Sequence, residues 1–114
     1  MTVKIIIDRQ FKEAPKADDI RILNDLRIRA MGQTGYISGE TLVDVEDNKK
    51  LVVMSVWANL EDWETWRDSG ERKRLETELS SFLEEPTNVR AFMLGADSLR
   101  KILEQVVHNS ELAA

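Results

Sequence analysis

Apolar and polar positions alternate from Val3 to Phe11, with Val3, Ile5 and Ile7 on one side and Ile6 and Asp8 on the other. A two-residue period in an isoleucine-rich run predicts a strand. Ala14-Pro15-Lys16 breaks it. The period then lengthens. Ile20, Leu23, Leu26 and Ala30 recur at helical spacing with Ile22 beside them, predicting a helix from about Ala17 to Met31. Asp18 and Asp19 suit the positive end of that helix, and Gly32 and Gly35 bracket its exit. Alternation returns over Tyr36 to Glu46 and Leu51 to Trp57, and the Asp47-Asn48-Lys49-Lys50 link between them is a hairpin signal.

Asn59 can cap a second helix, with Asp62 completing an arrangement like a capping box. Asp68-Ser69-Gly70-Glu71 repeats that chemistry, so this helix breaks and restarts there. The restarted piece carries Leu75, Leu79, Phe82 and Leu83 on one side and is expected to run until Pro86. Val89 to Leu94 reads as a fourth strand. Leu99, Ile102, Leu103, Val106 and Val107 then predict an amphipathic helix from Ala96 to about His108, packing on another surface. The order β-α-β-β-α-β plus a C-terminal helix is the ferredoxin-like α+β plan, with a four-stranded antiparallel sheet. Residues 1–95 would form the domain, and 96–114 the appended helix and tail.

In that plan both helices cover one face of the sheet, and the other face should be polar if it meets water. Here it is not. The third strand turns Leu51 and Val53 one way and Val52, Met54 and Val56 the other. The fourth puts Val89, Ala91 and Met93 on one face and Phe92 and Leu94 on the opposite one. Two chains packing sheet to sheet as a dimeric α/β barrel would satisfy both faces in an isologous pair. Burying about 1,000 Å² of apolar area there contributes on the order of 25 kcal/mol before association entropy. The alternative is a monomer whose C-terminal helix folds under the sheet. In a dimer, the same helix could instead cross to the partner.

Composition narrows the field. The 114 residues are 42% hydrophobic and 32% charged, which is enough apolar content for one folded domain with a core. The net charge of −5, with both signs interspersed, offers no basic stripe for nucleic acid. With no cysteine, thiolate chemistry and disulfides are out, and a reducing cytoplasm fits. The opening apolar run is too short for a signal peptide, and no stretch approaches the roughly 18 apolar residues of a membrane span. The chain therefore reads as soluble and intracellular. No histidine–carboxylate metal cluster, glycine-rich phosphate loop or nucleophile with an attendant histidine is present. Hydrolases, kinases and nicotinamide enzymes are excluded on that basis.

All three tryptophans fall within ten residues, at Trp57, Trp63 and Trp66. They sit in a motif string: Gly-Tyr-Ile-Ser-Gly-Glu-Thr at 35 to 41, a strand ending Val56-Trp57, then Leu-Glu-Asp-Trp-Glu-Thr-Trp, then Ser69-Gly70-Glu71-Arg72-Lys73. Taken together, Val3 to Leu94 resembles the antibiotic biosynthesis monooxygenase domain. The resemblance implies a ferredoxin-like homodimer with a pocket between sheet and helices in each subunit. Some members oxidise polycyclic aromatics with dioxygen and no cofactor, others degrade haem, and many have no demonstrated activity.

Trp57 matches the strand-ending tryptophan that lines the pocket of the cofactor-free members, although it could equally plug the helix–sheet junction. Those members carry an asparagine four residues earlier, where this chain has Val53, and a tyrosine six residues later, where it has Trp63. Losing the asparagine removes an amide donor for a developing oxyanion. Trp66 matches the tryptophan that haem-degrading members press against porphyrin. Their iron-ligating histidine is replaced here by Glu76, a poor substitute on haem iron, and the lone histidine, His108, lies in the tail. Haem is therefore disfavoured, and no cofactor is expected.

Asp8 is the candidate general base. If its face looks into the pocket, desolvation would raise its pKa and let it deprotonate a phenol or hydroquinone, a role typically worth about 10²–10⁴-fold. Otherwise it is a solvated or ion-paired aspartate. Arg9 points to the other face. Arg90 could bind an anionic oxygen or form a dimer ion pair, and Tyr36 could donate a phenolic proton or cap its strand. The run Glu71-Arg72-Lys73-Arg74 reads as a solvated helix face. Two functions follow: a cofactor-independent monooxygenase for a small aromatic or quinol-like substrate, or a non-catalytic homodimer that binds a small ligand.

Overall fold

The alternation that marks the strands also sets their register. The computed structural model describes residues 1–95, 100, 101 and 103–107. It contains β1 (Val3–Gln10), α1 (Ala17–Met31), β2 (Tyr36–Val43), β3 (Lys50–Trp57), α2 (Leu60–Arg67), α3 (Gly70–Ser80) and β4 (Asn88–Met93). The strands form one antiparallel sheet in the order β2-β3-β1-β4, the ferredoxin-like arrangement. Ile5 faces Ser55 and Ala91 across the ladders, and Ile6 faces Met54 and Arg90. Val3, Ile5, Ile7 and Arg9 are buried, whereas Lys4, Ile6, Asp8 and Gln10 are only half-buried. The buried set joins Ile22, Leu26, Trp57, Trp63, Trp66, Leu75 and Leu79 in a single core.

Three elements differ from the pattern-based expectation. First, β2 stops at Val43 rather than Glu46. The Asp44 carboxylate accepts the Glu46 N–H at 2.8 Å, and Asp47 accepts that of Lys49 at 3.0 Å, so side chains take over from the ladder. Second, the buried stripe of α1 runs through Asp19, Ile22 and Leu26, leaving Ile20 exposed. Third, α3 ends at Ser80, before Phe82 and Leu83 and well before Pro86. The chain there prefers sheet-like bonding: Lys12 donates to the Phe82 carbonyl at 3.0 Å, Glu84 to that of Gln10 at 2.8 Å, and Phe11 bridges to Leu83.

The helix break falls where the caps predict it. Asn59 accepts the Asp62 N–H at 2.9 Å to open α2, and Ser69 accepts that of Arg72 at 3.2 Å to open α3. Asp62 has a second neighbour. Its side chain lies against Gly35, where a Cβ would collide with it, and Gly35 has φ 85°. Only glycine suits that backbone. The Gly35 carbonyl also accepts the Ala58 N–H at 2.7 Å, fixing the start of β2 beside the end of β3.

The sheet face away from the helices carries Ile6, Val52, Met54, Val56 and Phe92, all half-buried or exposed. The described tail residues 100, 101 and 103–107 are helical, and Leu103, Val106 and Val107 are exposed. Leu99, Ile102 and His108 lie outside the described residues. No described helix is long and apolar enough to cross a membrane.

Candidate functional site

A cavity of about 70 Å³ opens between α1, β2, β3 and the α2–α3 pair. All three tryptophans border it. β3 positions Trp57 with its indole N–H donating to Ser55 Oγ at 3.0 Å, both on the helix-facing side of the strand. Tyr36 meets the Trp57 ring edge-on at 5.4 Å between centroids, and Trp63 does so at 5.8 Å. Such pairs contribute about 0.5–1.5 kcal/mol each beyond burial. Each indole is at most 3% exposed, so the three are core and cavity wall at once.

Charge reaches the same wall. Arg9 and Arg72 both border the cavity and both are buried. Arg9 grips Glu76 with a bidentate fork, both bonds 2.8 Å, and gives a third bond to Thr87 Oγ1 at 3.2 Å. Arg72 reaches the same carboxylate at 3.2 Å, one turn away on α3, and lies over the Trp63 ring at 5.1 Å. Burial alone would raise the Glu76 pKa, but the Arg9 hydrogen bonds and charge, with Arg72 behind them, leave it lowered. Burial pulls the Arg72 guanidinium down, with Glu76 opposing. Two cations against one anion leave this cluster net positive.

The sequence-selected residues divide between the two faces. Trp57, Trp63, Trp66 and Tyr36 meet at the cavity. Asp8 and Arg90 do not: they sit on the opposite face, paired at 3.1 Å, with Asn88 3.5 Å from the same carboxylate oxygen. The condition for Asp8 as base, a face turned toward the helix-side pocket, is therefore not met within the protomer. Sequence reasoning gave no part in the cavity to Arg9, Ser55, Arg72 or their partner Glu76. Arg72 is not on a solvated face but buried; its spacing to Leu75, Glu76 and Leu79 puts it on the core side of α3. Ser55 sits between Val53 and Trp57 on one face of β3, so strand alternation could have revealed it.

The architecture matches known proteins. A model of the family described as antibiotic biosynthesis monooxygenase covers residues 4–78. The chain belongs to this family. Among solved structures with the antibiotic biosynthesis monooxygenase fold, a conserved protein from Methanosarcina mazei Go1 superposes with TM-score 0.76 at 15% identity, covering 83% of this chain and 94% of that one. SnoaB, a cofactor-independent oxygenase from Streptomyces nogalater, gives 0.73 at 14%, over 82% and 93%. Rv0793 from Mycobacterium tuberculosis gives 0.73 at 13%, over 83% and 96%. At these identities the likeness shows the fold alone. No curated protein matches by sequence.

Two family positions can now be read in place. Val53, for which the resemblance implies an asparagine in cofactor-free members, stands on the cavity wall, so the wall is apolar there. Glu76, for which the resemblance implies the iron-ligating histidine of haem-degrading members, has both its oxygens held by Arg9. A carboxylate so engaged does not fit haem iron. Among the described residues no group of three histidine, aspartate, glutamate or cysteine side chains could hold a metal ion.

Proposed function

We propose that the protein is a cytoplasmic, cofactor-independent monooxygenase that oxidises a small aromatic or quinol-like substrate with dioxygen, acting as a homodimer. The observation that carries this reading is the cavity walled by Trp57, Trp63 and Trp66 in a chain of this family. Indole walls suit a flat ring through offset and edge-on contacts. Loss of a proton from a phenol or hydroquinone gives an electron-rich anion that reduces dioxygen. One oxygen atom ends in the product and the other in water. In this reading the open sheet faces pack together, and Asp8 and Arg90 serve the interface rather than the substrate.

Oxygen uptake with a panel of hydroquinones tests the activity. Consumption above the autoxidation background, reduced in Trp57→Phe, is the expected result, and background rates throughout would remove the enzyme. Sedimentation tests the assembly: a dimer at micromolar concentration should become a folded monomer in Met54→Lys. A second reading, a non-catalytic ligand-binding homodimer, is favoured by Val53 on the wall and by the cavity size. About 70 Å³ is well below the roughly 300–1,000 Å³ of drug-sized sites. Calorimetric binding without oxygen uptake would decide for this second reading.

A further inference from the structure

We infer that the cavity takes its ligand as an anion, a planar aromatic bearing an ionised phenolic, enolic or carboxylic oxygen held by Arg9 and Arg72. This rests on the aromatic-ligand reading above and adds the charge state. Both arginines border the cavity and are buried, at 3% and 8% exposure. Glu76, the only carboxylate bonded to them among the described residues, is not on the cavity wall. One negative charge against two positive ones leaves the wall short of an anion.

The hydrogen-bond inventory agrees. A guanidinium has five N–H donors. Arg9 spends its terminal nitrogens on Glu76 and Thr87, while its Nε is the only buried side-chain nitrogen or oxygen without a partner among the described residues. An unmade bond at a buried donor is costly, so the Arg9 guanidinium keeps capacity for one more acceptor. The remaining charged wall residues, Arg27 and Glu40, are exposed and oppose each other in sign. Arg72 lies over Trp63, so the positive charge sits directly beside the aromatic wall. A ring against the indoles would present an oxygen substituent to the arginines. Selecting the ionised form supplies the species that dioxygen attacks, without an aspartate base in the cavity.

Isothermal titration calorimetry of the full chain at neutral pH tests this with two probes of one ring system. 2-Hydroxy-1,4-naphthoquinone is ionised there and 1,4-naphthoquinone is neutral; with no cysteine in the chain, thiol addition does not interfere. The anion should bind at least about tenfold more tightly, as one charge-assisted hydrogen bond implies. Arg72→Met should remove most of that preference, and Glu76→Gln, which frees both guanidiniums from their internal counter-ion, should widen it. Thermal melts establish that each variant is folded, and either variant alone suffices. Equal affinity for the two probes, or a preference unchanged by a folded variant, overturns the inference while leaving the aromatic site intact. Failure of both quinones to bind overturns the inference and the aromatic-ligand reading together.

Discussion

Asp8 and Arg9 are neighbours on β1, and each is in an ion pair, but the two pairs lie on opposite faces of the sheet. Arg9 is 3% exposed against a Glu76 that is 19% exposed, whereas Asp8 and Arg90 are 26% and 53% exposed. The inner pair also carries a bidentate fork, a bond to Thr87 and a second arginine. Removing one member of a buried pair leaves the other uncompensated in a low-dielectric setting, typically costing about 3–5 kcal/mol. Exposed pairs are worth about 0.2–1 kcal/mol. Burial, not residue type, separates a cluster that holds α3 against the sheet from one that water can replace.

That contrast can be broken experimentally, starting with the strongest effect. Arg9→Ala should cost about 3–5 kcal/mol in urea unfolding, by leaving Glu76 buried with only Arg72. A loss below about 1 kcal/mol would show that the inner cluster is no tighter than a surface pair. Gly35→Ala should cost about 1–3 kcal/mol, since its positive φ and the Asp62 side chain leave no room for a methyl group. This isolates a backbone effect from the charge effects.

Acid titration sharpens the comparison next. The Glu76 pKa is lowered from its ordinary 4.5 in the folded chain, so the stability it contributes is present above that value. It is lost as pH falls through the lower folded-state pKa. Below 4.5 the wild type should therefore lose stability more steeply than Glu76→Gln, measured as the difference between their unfolding free energies across acid pH. Parallel curves would mean that Glu76 titrates alike in both states. Arg90→Ala should show the smallest effect, no more than about 1 kcal/mol at matched oligomeric state.

Most of the fold is legible in the sequence because strand and helix periods are local. α1 begins and ends where its pattern says, and the α2–α3 break falls at Ser69, because caps and periodicity act within a few residues. The misplaced ends have non-local causes. α3 stops at Ser80 because 82–84 bonds to 10–12, a pairing no window around Pro86 contains. The indoles at the cavity were legible from their clustering. The arginine pair was not: Arg9 reads only as pointing to the face opposite Asp8, Arg72 as part of a solvated run, and Glu76 lies 67 residues from Arg9. Asp8 drew attention by following three isoleucines, and alternation alone could not tell which face the helices cover.

The placement of Trp57, Trp63 and Trp66 gives the molecule a built-in optical gauge. Every tryptophan in the chain is buried and borders the same cavity, so its ultraviolet-excited emission arises wholly from that wall, with no surface indole contributing background. Emission should be short in wavelength for the folded protein and shift red on unfolding. A molecule entering the cavity should alter the whole signal rather than a third of it, making label-free screening of candidate ligands practical.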